Sequence, residues 1–189
     1  TVLAHALYRH PCGLSLVCLH DPEAAEQAIS TGPGARVMLS MGGKTDDRHG
    51  PPLEADVEVV SIHDGQFEES QVRHGGRVAF AMGPSAVVRT DRGLTVLLNS
   101  RRTPPFSLGM LTSCGLDPSA FRVLVAKGVN APIAAFREVC ERFLRVDTPG
   151  VTCANMTRLE FQHRHRPLFP FEDDVTLSDE DTFARPVRP

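Results

Sequence analysis

The chain has 189 residues, of which 41% are hydrophobic and 23% charged, with a formal net charge of −3. This is the balance of a soluble globular domain large enough for one sizeable core, and it leaves no electrostatic footprint for nucleic acid. No apolar run reaches the ~18 residues that a membrane-spanning helix needs, and residues 1–10 lack the basic-then-apolar pattern of a secretory signal.

Residues 1–9 already read as helix, with Val2, Leu3, Ala6 and Leu7 on one face. A helix at the very start predicts that the chain is part of a longer protein. Residues 14–19 form a short apolar run, expected as a buried strand. Asp21-Pro22-Glu23 then opens a helix, Asp21 capping free N–H groups and Pro22 taking the first helical position. Gly32-Pro33-Gly34 stops it. Residues 35–41 predict the next strand, and a glycine-rich, charged loop follows over 42–52.

From Leu53 the pattern turns to β. Val57, Val59 and Ser61 alternate with Glu58, Val60 and Ile62, as in a half-buried strand. His63-Asp64-Gly65 marks a turn. Residues 77–82 predict a strand, and 86–89 with 94–98 flank the hairpin turn Thr90-Asp91-Arg92-Gly93. Strands in sequence with short turns make an antiparallel meander.

The last third returns to α/β. Residues 108–114 predict a short helix, Asp117-Pro118 a second cap, and 122–126 a short strand. Asn130 is expected to cap the strongest helix, running to about Arg145, with Ile133, Phe136, Cys140, Phe143 and Leu144 as its apolar stripe. Glu138 with Arg142 and Glu141 with Arg145 stand four apart in the favourable order. Beyond Gly150 periodicity fades. Residues 158–166 are basic, and 172–181 hold six acids and no base. The fold class expected is α+β, a single domain with an antiparallel β meander in the middle and α/β segments at both ends. The domain should span 1–170, leaving 171–189 as an acidic, proline-containing tail of poor order.

Five cysteines, Cys12, Cys18, Cys114, Cys140 and Cys153, form an odd set without a C-x-x-C pair. That argues against a disulfide framework and a structural zinc site, and for reduced, mostly buried thiols in a cytoplasmic protein. Of eight histidines, only His163 and His165 share a strand face in a close pair; a solvated basic segment is the stronger reading. Asp21 is explained as a cap rather than a catalytic group. Gly42-Gly43-Lys44 lets backbone approach a ligand closely beside a positive charge, although it lacks the spacing of a phosphate-binding loop; an ordinary turn with a surface lysine is the alternative. Arg101 and Arg102 end an apolar strand and point to opposite faces. One is suited to an internal carboxylate, the other to a substrate carboxylate or a partner domain. Lys127 precedes a helix start and is suited to an anion, or to plain solvation.

Several segments in order resemble a known family. They are Asp21-Pro22-Glu23-Ala24, Gly42-Gly43-Lys44 with Gly50-Pro51-Pro52-Leu53, Gly83-Pro84-Ser85-Ala86-Val87, and Asn99-Ser100-Arg101-Arg102. Gly115-Leu116-Asp117-Pro118, Val125-Ala126-Lys127, Asp147-Thr148-Pro149-Gly150 and Arg166-Pro167-Leu168-Phe169-Pro170 complete the set. Together they resemble the C-terminal domain of the microcystinase C (MlrC)-like zinc metallopeptidases. The resemblance implies an accessory domain that walls a substrate cleft or a domain interface. It implies a peptidase acting on small or cyclic peptides, as in microcystin degradation, with zinc held by a separate N-terminal catalytic domain. No cofactor and no catalytic residue is expected in this chain. Substrate or interface contacts fall to Lys44, Arg101, Arg102 and Lys127; the partners are the catalytic domain and a peptide, with a second copy of the chain left open. One departure stands out: Ala131, Pro132 and Pro104 occupy positions where the family pattern has a histidine, an aromatic residue and a glutamine. The alternative expectation is therefore a non-catalytic binding or assembly domain.

Overall fold

The structure, a computed structural model, describes residues 1–46, 50–69, 71, 76–128, 130–149, 155–173 and 175. The chain divides into two compact units, Thr1–Pro149 and Gly150–Pro189.

The first unit opens with α1 (Val2–Arg9), β1 (Ser15–His20), α2 (Pro22–Thr31) and β2 (Arg36–Met41). The middle holds β3 (Leu53–His63), β4 (Gln66–Glu68), β5 (Ala79–Ala81), β6 (Ser85–Thr90) and β7 (Leu94–Asn99). It ends with α3 (Gly109–Thr112), β8 (Val123–Val125) and α4 (Ile133–Phe136). Six strands form one sheet in the order β2-β3-β6-β7-β1-β8. The β2–β3, β3–β6 and β6–β7 pairs are antiparallel, as the alternating middle third predicts, while β1 lies parallel to both β7 and β8. The α+β class with a central meander therefore holds.

Each sheet face has its own core. On one, α1 and α2 cover Ala86, Val88, Val96 and Leu98. The side of α2 that faces the sheet is Ala24, Ala25 and Ala28, all buried, and side chains this small let the helix pack close. On the other face Phe67, Phe80, Met110, Leu111 and Phe136 cover Val87 and Leu97, with Phe67 and Phe80 stacked at 5.0 Å between centroids. Alternation along β6 and β7 decides which residue enters which core. The β3–β6 ladder skips between Val59 and Ser61, a bulge that bends β3.

Two expectations need correction. The strand expected over 77–82 is shorter and pairs only with β4, in a separate two-stranded ladder. More substantially, the long helix expected from Asn130 to about Arg145 ends after Phe136. Phe136 is buried, but Phe143 and Leu144 are 44% and 81% exposed. A periodic stripe makes a helix only where something covers it, and the core ends at Phe136 and Cys140. Asn130 is not the cap: its Oδ1 accepts from Arg145 Nη2 at 3.1 Å, and Pro132 begins the short turn.

In the second unit, Asn155 caps a 3-10 turn over Met156–Arg158. Arg164 is not simply solvated: both its terminal nitrogens donate to the Glu172 carboxylate, one at 2.6 Å. Its guanidinium lies over the Phe171 ring at 4.5 Å. Most of the acidic run and residues 185–189 lie outside the described residues. Among the described residues no helix is long and apolar enough to cross a membrane.

Candidate functional site

Parallel pairing decides where the charged residues gather. Because β1 runs parallel to β7 and β8, the residues after all three strands leave the sheet at one edge. Asp21 follows β1, Arg101 and Arg102 follow β7, and Lys127 follows β8. The Asp21 N–H donates to the Asn99 carbonyl at 3.1 Å, tying two of these exits together. Ligands of open sheets collect at the carboxyl ends of parallel strands.

Lys44 arrives by another route. β2 returns alongside α2, with Gln27 Nε2 donating to the Met38 carbonyl at 3.4 Å, and this brings the loop after β2 back to Asp21. Asp21 is 3% exposed and fully engaged. Its Oδ1 accepts from the Ala24 N–H at 3.0 Å and from Lys44 Nζ at 3.2 Å. Its Oδ2 accepts from the Gly42 N–H at 2.8 Å and lies 3.1 Å from Lys44 Nζ. Glu23 brings a second carboxylate to 3.2 Å. The lysine charge is thus matched inside the protein, and Asp21 joins the helix cap to the glycine loop. Sequence reading found the cap and missed the junction, because nothing local announces which loop returns to a strand end.

The family-like segments meet in pairs. A Cβ on Gly43, at φ +66, would lie 2.6 Å from the backbone of Pro51 and Pro52, so the Gly-Gly-Lys and Gly-Pro-Pro stretches touch main chain to main chain. Next to them a cavity of about 470 Å³ is lined by Gly43, Lys44, Asp46, Gly50, Pro51 and Pro52. His5 Nε2 reaches the Pro51 carbonyl at 3.1 Å. Similarly, Gly83-Pro84-Ser85 packs on Asn99-Ser100-Arg101. The Arg101 N–H donates to the Met82 carbonyl at 2.7 Å, and a Cβ on Gly83 would lie 2.4 Å from Ser100 Oγ. Buried Asn99 donates through Nδ2 to the Arg101 carbonyl.

The side chains of Arg101 and Arg102 are exposed, and neither has an ion-pair partner among the described residues. Lys127 is likewise exposed and without one. Thr1 Oγ1 lies where a Cβ on Gly42 would stand, 2.6 Å away, which sets the start of α1 against this edge.

The described cysteines, Cys12, Cys18, Cys114 and Cys140, are free thiols. Burial, and then Cys114, push Cys18 up to about 12; burial also raises Cys114 and Cys140. Thiols shifted this way are poor nucleophiles at neutral pH. Among the described residues no group of three or more His, Cys, Asp or Glu could hold a metal ion. His163 and His165 are both exposed, and His49, His74 and Cys153 lie outside the described residues.

The family model for the MlrC C-terminus matches residues 1–163. A crystal structure of a candidate metallopeptidase from Mesorhizobium sp. BNC1 superposes with a TM-score of 0.77 at 26% identity. The match covers 94% of this chain and 35% of that one, so the chain spans about a third of its structural relative. A search of curated proteins finds no match.

Proposed function

The chain belongs to the family of MlrC C-terminal domains, and from that membership we propose that it is the accessory domain of a zinc-dependent peptidase acting on small or cyclic peptides. On this reading the domain spans 1–170 and works beside an N-terminal catalytic domain that holds the zinc. The likeness to a candidate metallopeptidase of much greater length supports it. Among the described residues no group of three or more His, Cys, Asp or Glu could hold a metal ion, which agrees with metal chemistry housed in the catalytic domain. The free thiols, with Cys18, Cys114 and Cys140 raised by burial, agree with a reducing, cytoplasmic setting.

The observation that carries the proposal is the shared exit along one sheet edge of three cations, Arg101, Arg102 and Lys127, that have no ion-pair partner among the described residues. Guanidinium and ammonium groups there are suited to a peptide carboxylate or to carboxylates of the catalytic domain. Lys44 serves the same edge differently: tied to Asp21 and Glu23, it fixes the loop that walls the cavity. In the whole protein, replacing Arg101 and Lys127 by alanine should lower kcat/KM about tenfold or more, the scale of a charged hydrogen bond. Thermal stability and zinc content should stay unchanged. Unaltered kinetics and unaltered domain packing would remove these residues from the site.

One observation favours a second reading, a binding or assembly domain without catalysis. Pro132 is buried beside Gly128, where a Cβ would lie 3.0 Å from Pro132 Cδ, and Ala131 is exposed. The positions that resemblance gives to a histidine and an aromatic thus hold no side-chain donor. Failure of the zinc-loaded whole protein to cleave any linear or cyclic peptide would favour this reading.

A further inference from the structure

A second cavity lies at the opposite end of the sheet, where β6 ends and β7 begins. It has a volume of about 290 Å³, and Leu14, Leu116, Ala120 and Phe121 supply its apolar wall. Its polar lining is Arg89, Thr95 and Asp117. Arg89 and Thr95 are directly opposed across the β6–β7 ladder, and Leu16 faces Thr95 on the other side. Opposed residues project to one face, here the face of Leu16 and Leu97, beneath the turn that carries Leu116.

Three features of this lining lack a use within the described fold. Thr95 is fully buried, its Oγ1 closed to solvent and without a hydrogen-bond partner among the described residues; a buried hydroxyl left so costs about 1–3 kcal/mol. Arg89 faces Glu58 across β3 and forms an ion pair neither with it nor with any other described residue. Asp117 directs Oδ1 at the Ser119 N–H, at 2.9 Å, and at Ser119 Oγ, at 2.7 Å, and Oδ2 has no hydrogen bond among the described residues. Arg89 and Asp117, both solvent-exposed, therefore line the rim of one small space with opposite charges that do not pair with each other.

We propose that this cavity binds a free α-amino acid with an apolar side chain. The carboxylate meets the Arg89 guanidinium. The ammonium meets Asp117 Oδ2, and the side chain lies on Leu14, Leu116 and Phe121. A simple anion would face Asp117 unmatched, and a simple amine would face Arg89. Ligand pockets span roughly 300–1,000 Å³, and a cavity near the floor of that range suits an amino acid and not a nucleotide. Nothing here depends on the peptidase reading.

The test is a titration of the full 189-residue chain with L-leucine, N-acetyl-leucine and leucinamide, followed by amide NMR. Leucine should give saturable shifts at Arg89, Thr95 and Gly115, while each single-charge analogue binds about tenfold more weakly or worse. Arg89→Ala and Asp117→Asn should each weaken leucine to the same degree. Asparagine keeps the oxygen that Ser119 needs, so the turn survives. No saturable shift at these residues, equal binding of N-acetyl-leucine, or variants that bind leucine like the parent would each overturn the proposal.

Discussion

Asp21 shows how much one carboxylate can organise. As a helix cap alone, its removal would cost about 0.5–2 kcal/mol. Here it also accepts from the Gly42 N–H, and a buried donor left without an acceptor costs about 1–3 kcal/mol more. The Lys44 pair adds less, since the lysine side chain is 28% exposed and solvent screens it. Asp21→Ala should therefore lower the unfolding free energy by about 2–4 kcal/mol in urea denaturation. Asp21→Asn, which retains one acceptor, should fall between, and Lys44→Met should do least. A loss for Asp21→Ala no larger than for a surface cap would mean that the glycine loop does not depend on it. The cap was legible because Asp-Pro-Glu before an alanine-rich run is a local signal. The junction was not, since it joins residues 21 apart through the return of β2 along α2.

At the scale of elements, local signals again read well where tertiary packing agrees with them. The caps at Asp21 and Asp117, the hairpin turn after β6 and the half-buried alternation of β3 all appear as the residues predict. The helix expected from Asn130 fails because its stripe outruns the core. The candidate edge was legible only residue by residue, as lysines and arginines at strand ends; their convergence required knowing that β1 inserts between β7 and β8. In the second unit, the loop closed by Arg164 and Glu172 carries a pH signature. The Arg164 hydrogen bond first, and then the Leu168 N–H, lower Glu172 from 4.5 to about 2. A carboxylate depressed in the folded state stabilises fully above its unfolded value. The loop should thus be unaffected by acid down to about pH 4.5 and loosen as pH falls through about 2. Carboxyl ¹³C NMR of Glu172 measures this directly. An ordinary glutamate titration, or no change in it on Arg164→Met, would show that the pair does not form in solution.

For the whole molecule, the decisive question is where the metal chemistry of the proposed peptidase would reside. A zinc site needs three or four His, Cys, Asp or Glu donors converging within about 2.0–2.3 Å of one point. Sheet topology keeps the described donors apart here: the strand ends deliver arginine, lysine and a single buried aspartate, and that aspartate already has four contacts. Zinc binding to the isolated chain would have to draw on residues outside the described set, such as His49, His74 or Cys153. The purified chain, dialysed and assayed for metal, should hold well below one zinc per molecule, and added zinc should leave its melting temperature unchanged. A content near one, with stabilisation that follows the free zinc concentration, would instead make this domain a metalloprotein in its own right. The cations of the sheet edge, without ion-pair partners among the described residues, would then have to be reconsidered as neighbours of a metal rather than as the proposed contact surface for a catalytic partner.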